Sequence, residues 1–526
     1  MLLFKVLLMA LLPVVCCLVT CAMQGKAIGE VYLPTSEWND ELFYFKQVEG
    51  IVNYGYPRGY FGFNESHALK LSFAAWSPVL VLPWILWGLL FGWNLLSPIL
   101  CNILLLSVAM ALFVLLVRPS WKQLGILTLL FCLYTPFVRY MLSGMPEIIC
   151  FSMLIIFYSL AINYLEREST VKLVLLFVLS SLMTLMRPYM LLFLLLPMYF
   201  FIRKKKWWGV LGSGVVLSGV LGCYGLIKHY FGAEYFAPLF FTDWITVFFE
   251  EGFFAGIHHF FGKLYWMGQD FLSHTVEGFR SGLASGAFFA GFLVMLAILV
   301  CQSISDWNSG VRKQKQEQNK SLFIVQLHLA FSFVGMLFAL LLMYKLTEGS
   351  KHLLTFMAVG IFVVSLMKTR YYKKAALLGV TFVYFYSYLA VQHPYDYQVP
   401  FVEEVRSGQL ADASKSLKDR MELVTEDVPN YENSVIWVLY DNVLDESDKV
   451  VQRSTKWQLL YALPKGFGIS CCQGEYVREN LESLQSRYLA TIVDGEIDER
   501  CKQAGCAELY RDHEVVFYDI SGLKES

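Results

Sequence analysis

The feature that most constrains this chain is a succession of apolar runs, each close to the 20 or so residues an α-helix needs to cross the hydrocarbon core of a bilayer. Such runs occupy roughly residues 3–22, 97–117, 124–141, 148–164, 207–226, 282–301, 321–343, 353–367 and 375–391. The stretch 171–202 is long for one helix and carries Arg187-Pro188 in its middle. Proline removes a helical N–H and its ring displaces the preceding turn, so this stretch reads as two short spans. The expected total is eleven.

Composition agrees. Over 526 residues, 56% are hydrophobic and 16% charged, with a mean hydropathy of +0.51. A soluble interior could not hold that much apolar surface, so most of it faces lipid. The formal net charge is −1, with no basic excess outside short loops, which excludes nucleic acid as a partner. The 42 Phe, 30 Tyr and 13 Trp suit a bundle with interfacial anchors.

Residues 74–93 decide the topology. If they do not cross, every dense basic cluster falls on one side: Arg118/Lys122, Arg167/Lys172, Arg203–Lys206, Arg312–Lys320 and Lys368–Lys374. That is the distribution the positive-inside bias requires. The run is therefore expected to be a juxtamembrane helix, with Pro78, Pro83 and the tryptophans Trp76, Trp84, Trp87 and Trp93 at the membrane surface. The first run is read as a retained anchor, a cleaved signal peptide being the alternative. The expected localisation is an integral protein of a bacterial plasma membrane, its N-terminus cytoplasmic. Loops 23–73 and 227–281 and the tail are then external, while the cytoplasmic loops are short and carry no nucleotide-binding motif.

Two domains are expected, a membrane module over 1–392 and a soluble external domain over 393–526. In the latter, alternation over 435–440, 487–493 and 514–518 predicts strands, with a helix over 473–486, giving a small α/β core. Cys471 and Cys472 could bridge to Cys501 and Cys506.

Chemistry is expected at the external ends of the helices. The first loop reads Ser36-Glu37-Trp38-Asn39-Asp40-Glu41, followed by Arg58. Acids set among aromatics just after a span can take a proton from a hydroxyl or hold a divalent cation; a solvated acidic helix cap is the plainer reading. Glu147 is the only acid between 123 and 165, and Arg139 and Arg187 share its face. An acid in such a stretch needs a wet cavity or a partner, unless it merely caps the helix that begins there. Lys345, Lys351 and His352 form a further cationic group suited to phosphate, or to snorkelling. In loop 227–281 the pair His258-His259 would face apart on a helix, so this segment reads as an amphipathic interfacial helix.

In this order the chain resembles the GT-C type of polyprenyl-phosphate-dependent membrane glycosyltransferases, near the bacterial relatives of protein O-mannosyltransferases and of the enzyme that adds aminoarabinose to lipid A. The resemblance rests on one N-terminal span, Trp38-Asn39-Asp40-Glu41 in the first loop, the stretch from Ser77-Pro78 to Trp93-Asn94, Glu147, and Arg187-Pro188. It implies a mainly α polytopic bundle that transfers a sugar from a polyprenyl-phosphate donor to a hydroxyl on a glycan, lipid or protein acceptor. It further implies Asp40 as base with Glu41 beside it, Glu147 as the second acid, and Arg58, Arg187, Lys345, Lys351 and His352 around the donor phosphate. The first loop holds no Asp-X-Asp, so Mg2+ or Mn2+ on Asp40 and Glu147 is left open. The competing readings are a transporter or flippase for a lipid-linked sugar, a polysaccharide polymerase or ligase, and a noncatalytic envelope assembly protein.

Overall fold

The computed structural model describes residues 1–31, 33, 35, 40–55, 61–65, 77–231, 243–308, 317–343, 346–367, 371–390, 404–425 and 431–524. The elements begin with α1 (Leu2–Met23), α2 (Asp40–Tyr54), β1 (Phe61–Phe63), α3 (Leu82–Phe91), α4 (Ser97–Val117), α5 (Trp121–Leu133) and α6 (Thr135–Met141). There follow α7 (Glu147–Glu166), α8 (Thr170–Met186), α9 (Leu191–Lys205), α10 (Trp207–Phe231), α11 (Asp243–Glu250), α12 (Phe253–Ser281) and α13 (Leu283–Asn308). Next come α14 (Glu317–Met343), α15 (Leu346–Leu366), α16 (Tyr371–Ala390) and α17 (Glu404–Arg420). The chain ends with β2 (Ser434–Val438), β3 (Tyr440–Leu444), β4 (Val450–Ser454), β5 (Gly468–Cys472), α18 (Gly474–Asn480), β6 (Tyr488–Ile492), α19 (Glu496–Gln503), β7 (Ala507–Arg511) and β8 (Val515–Asp519).

The protein is a mainly α, polytopic membrane bundle with a β-rich C-terminal part. The span count differs from the eleven expected. Among the described residues six helices are long and apolar enough to cross a bilayer, within α1, α4, α7, α10, α13 and α14, and α5 with α6 makes a seventh if a pair bent by 73° is one span. The shortfall has a local cause in each case. Helix α8 has 17 residues and stops at Arg187-Pro188, and α9 has 15 and runs into Arg203, Lys204 and Lys205. Helix α15 is apolar only over Leu353–Leu366, and α16 opens on Tyr371-Tyr372-Lys373-Lys374.

The chain divides into two compact units, Met1–Glu30 with Ile99–Gly225 and Pro238–Pro400, and Val31–Pro98 with Leu226–Ala237 and Phe401–Ser526. In the first, α7 packs against α8, α14 and α15, and α15 against α5, so α7 is mostly buried while α10 keeps most of its surface exposed. Helix α7 is accordingly apolar nearly all round. Polar contacts gather the basic connections at one end of the bundle. Lys5 Nζ donates to Pro119 O at 2.6 Å, Gln123 Nε2 to Leu366 O at 2.7 Å, and Lys373 Nζ to Gln302 Oε1 at 2.8 Å. Asn163 Nδ2 donates to Leu116 O at 2.8 Å, and Arg203 pairs with Glu168 at 2.6 Å.

In the second unit a six-stranded sheet runs β1-β5-β2-β6-β8-β7, parallel from β1 to β6 and antiparallel beyond. The strands expected near 435, 487 and 514 are β2, β6 and β8, and the helix expected over 473–486 is α18 with a 3-10 turn after it. The edge strand β1 comes from the first long loop, with Phe61 opposite Ile469 and Phe63 opposite Cys471. Helix α2 is buried on every side from Glu41 to Gly50, against Trp437 and Tyr461 among others. Cys471, Cys472, Cys501 and Cys506 are thiols, and Cys501 hydrogen-bonds Cys506, a residue of its own group.

Residues 82–91 form a helix of ten residues, about 15 Å long and so half of a ~30 Å hydrocarbon core. Of the four tryptophans expected at the surface, Trp76 lies outside the described residues, Trp87 is half-buried, and two are not anchors. Trp84 and Trp93 are buried, Trp93 Nε1 donates to Phe45 O at 3.1 Å, and both rings pack on α2. The exposed face of α3 is instead Leu82, Leu86, Leu89, Leu90 and Phe91.

Candidate active site

Glu147 and Arg187 meet inside the bundle. Glu147 opens α7 directly after Pro146, and Arg187 closes α8 in an extended conformation forced by the proline that follows it. The carboxylate thus lies at the positive end of one helix dipole and the guanidinium at the negative end of another, each favourable by about 0.3–1 kcal/mol. Arg187 Nη2 donates to Glu147 Oε1 at 2.7 Å and Nη1 donates to Tyr189 Oη at 3.1 Å. Both charged side chains are 0% exposed.

Burying two ions costs several kcal/mol each, and the pair repays it only when its remaining hydrogen-bonding capacity is met. Here it is not. Glu147 Oε2 is buried and accepts no hydrogen bond from any described residue. The turn that aims it is held from α4, where Asn102 Nδ2 donates to Ser143 O at 3.0 Å, and from within, where Met145 N donates to Ser143 Oγ at 3.2 Å. Neither Asn102 nor Tyr189 was singled out by the sequence reading. Asn102 could have been, as the lone amide of a 21-residue apolar helix. Arg139 is buried in the last turn of α6.

Asp40 and Glu41 form the first turn of α2. Asp40 is half-buried and Glu41 fully buried. Glu41 Oε1 accepts from Thr35 Oγ1 at 3.1 Å. Burial, with Glu41 adding its charge, raises the phenol pKa of Tyr461 well above its ordinary value. Asp40 and Glu147 belong to different compact units. Trp38, Asn39, Arg58 and Lys345 lie outside the described residues, as do the side chains of Lys351 and His352 in α15.

Among the described residues, neither Glu147 nor the acidic group of the tail makes a divalent-cation site. Mg2+ takes about six oxygen ligands, and Glu147 offers one unpaired, buried oxygen beside a guanidinium. Asp494, Asp498 and Glu499 lie close enough together, but Lys502 Nζ already occupies the space, 2.7 Å from Glu499 and 3.2 Å from Asp498. His259 pairs with Asp243 at 3.4 Å, and Lys263 with the same carboxylate at 2.6 Å, which ties α12 to α11. Among the apolar residues of α12 left exposed, Phe254, Phe261, Tyr265, Leu272, Val276 and Phe279 follow one another at helical spacing, with Phe253 and Trp266 beside them. That is the face of an interfacial helix.

No family model and no curated protein matches this chain. Among solved structures it is similar to ArnT from Cupriavidus metallidurans bound to undecaprenyl phosphate, at 11% identity and a TM-score of 0.43, over 98% of each chain. It is also similar to the archaeal oligosaccharyltransferase AglB from Archaeoglobus fulgidus in complex with an inhibitory peptide and a dolichol-phosphate, at 13% identity and a TM-score of 0.48, over 96% of this chain and 72% of that one. Likeness at these scores assigns neither residues nor activity to the present chain.

Proposed function

We propose that this protein transfers a sugar from a polyprenyl-phosphate donor to a hydroxyl acceptor at the external face of the membrane, with the bundle within 1–392 as the catalytic module. The observation that carries the reading is the fully buried Glu147–Arg187 pair with one carboxylate oxygen that accepts no hydrogen bond from any described residue. A second hydroxyl of the acceptor, donating to that oxygen, would complete the pair's hydrogen bonding and orient the attacking group, whose own proton stays free for the base. Asp40 takes the hydroxyl proton as the acceptor oxygen bonds to the anomeric carbon, and the bond from that carbon to the phosphate oxygen breaks with its electron pair on the lipid phosphate. Its half-buried position favours Asp40 over the enclosed Glu41 for this role. Arg187, with Arg58, Lys345, Lys351 and His352, offsets the charge that gathers on the phosphate. Single displacement inverts the anomeric carbon.

The test is transfer of labelled sugar from a polyprenyl-phosphate donor in membranes holding equal amounts of each variant. Asp40→Asn is expected to lower the rate at least ~100-fold, the usual worth of a positioned base. Glu147→Gln, which keeps an acceptor oxygen and loses the charge, is expected to lower it less. Full transfer by Asp40→Asn removes that residue as the base; a donor that crosses the membrane with no transfer in the wild type points to the flippase reading instead.

A further inference from the structure

At the basic end of the bundle, α9, α13 and α14 enclose a cavity of about 930 Å³. Its walls are one stripe from each helix: Leu195 to Arg203 on α9, Val300 to Trp307 on α13, and Phe323 to Val334 on α14. The stripe on α14 covers eleven residue steps, about 16 Å of helix, or one leaflet of a bilayer whose core is about 30 Å thick. Among the polar side chains of this wall, His328 and Ser303 are already satisfied. His328 Nε2 donates to Leu192 O at 3.0 Å, so Nδ1 accepts from Tyr158 Oη at 3.0 Å, and Ser303 Oγ donates to Leu299 O at 2.7 Å. Tyr199 lines the α9 side, and Arg203 stands at the mouth with Trp307. The groove is therefore mostly apolar along its length and cationic at one end.

The mouth is more basic than its carboxylate can neutralise. Arg203 and Lys204 share Glu168, at 2.6 Å and 3.6 Å, and Lys205 and Lys206 follow directly. Trp307 stands beside the mouth, more than half exposed, and Trp207 and Trp208 are exposed just beyond the cations. Exposed indoles at that level mark the headgroup region of a bilayer.

We propose that this groove binds one anionic diacyl phospholipid of the leaflet at the basic end, an acyl chain lying along α14 and the phosphate against Arg203–Lys206. Its occupant is a structural lipid and not the sugar donor, whose phosphate the proposed function puts at the other end of the bundle. The two readings stand or fall separately.

The purified full-length chain would be exposed in detergent to phosphatidylglycerol, phosphatidylethanolamine or undecaprenyl phosphate and the retained lipid counted by native mass spectrometry. One phosphatidylglycerol is expected to stay bound where phosphatidylethanolamine does not. Arg203→Gln should weaken retention about fivefold, the worth of one basic residue at an anionic surface, while Arg203→Lys keeps it. Leu327→Trp, which fills the groove from α14, and Ile304→Trp, which fills it from α13, should each abolish it; if one variant does not fold, the other still decides. Equal retention of the two phospholipids, or of phosphatidylglycerol in a filled groove, overturns the proposal. Displacement by undecaprenyl phosphate would give the groove to the donor's chain and overturn it as well. Sugar transfer, measured on the same samples, separates this result from the fate of the proposed activity.

Discussion

Asp498 and Asp441 are both fully buried in the tail's unit, yet their acidities move in opposite directions. Burial disfavours the charge of each. At Asp441 burial wins, although Arg478 donates at 2.9 Å and the amides of Ile497 and Asn442 at 2.8 Å, and the pKa is raised. Asp498 faces more cations. Burial would raise its pKa, but both Arg511 terminal nitrogens, at 3.0 and 2.8 Å, the Tyr518 hydroxyl at 2.6 Å, the Asp494 amide and Lys502 outweigh it and hold the pKa at about 2. A carboxyl whose folded pKa is depressed stabilises the fold above its unfolded value near 4 and loses that contribution as the pH falls to about 2. Asp498→Asn is therefore expected to destabilise this unit by about 2 kcal/mol at pH 7. In urea titrations the gap to wild type should close between about pH 4 and 2; a gap that ignores pH would show that Asp498 acts by shape and not by charge.

At the scale of elements, β1 is the informative piece. Three residues, Phe61-Gly62-Phe63, join a sheet whose partner strand lies some 400 positions later in the chain. They are locked there by the next two residues, both at positive φ, a conformation that non-glycine side chains adopt only when the surroundings hold them. Glu65 does the holding. It is buried, and its carboxylate accepts from the amides of Gln485, at 2.9 and 3.1 Å, and Ser486, at 2.7 Å. Glu65→Ala strands those two N–H groups, at a cost of about 1–3 kcal/mol, and hydrogen exchange at 61–63 should speed up while α2 keeps its protection; slow exchange at β1 in the variant would mean that the ladder alone holds it. None of this was legible in the sequence, because three residues have no period and a register set by a distant strand leaves no local mark. The long runs were legible, 97–117 and 148–164 among them, since a 20-residue apolar stretch has few other uses. Glu147 and Arg187 stood out singly as charges in apolar surroundings, but their pairing over 40 positions did not. The burial of Trp84 and Trp93 was hidden for a related reason, because an indole suits an interface or a core equally and only α2 decides between them.

At the scale of the whole molecule, the unit that contains the tail also contains the first long loop, so the chain leaves it for the membrane and comes back. The tail's strands need what the loop supplies: an edge strand, the Glu65 carboxylate, and in α2 a helix whose Phe43 and Phe45 pack against Trp437 and Tyr461 and whose Lys46 Nζ donates to Leu463 O at 3.3 Å. Contacts of this kind are those of one hydrophobic core, not of two domains that touch. A division of the sequence near 393 therefore cuts the chain without cutting the fold. With a protease site inserted between residues 393 and 400 of the full-length protein, the cleaved tail is expected to stay with the N-terminal fragment through gel filtration in detergent, held through 31–98. Adding Glu65→Ala should let part of it go, because the same carboxylate that fixes β1 ties the loop to the tail. Clean loss of the tail from the cleaved protein, with Glu65 intact, would make it an independent domain and reduce β1 to a decoration on its edge.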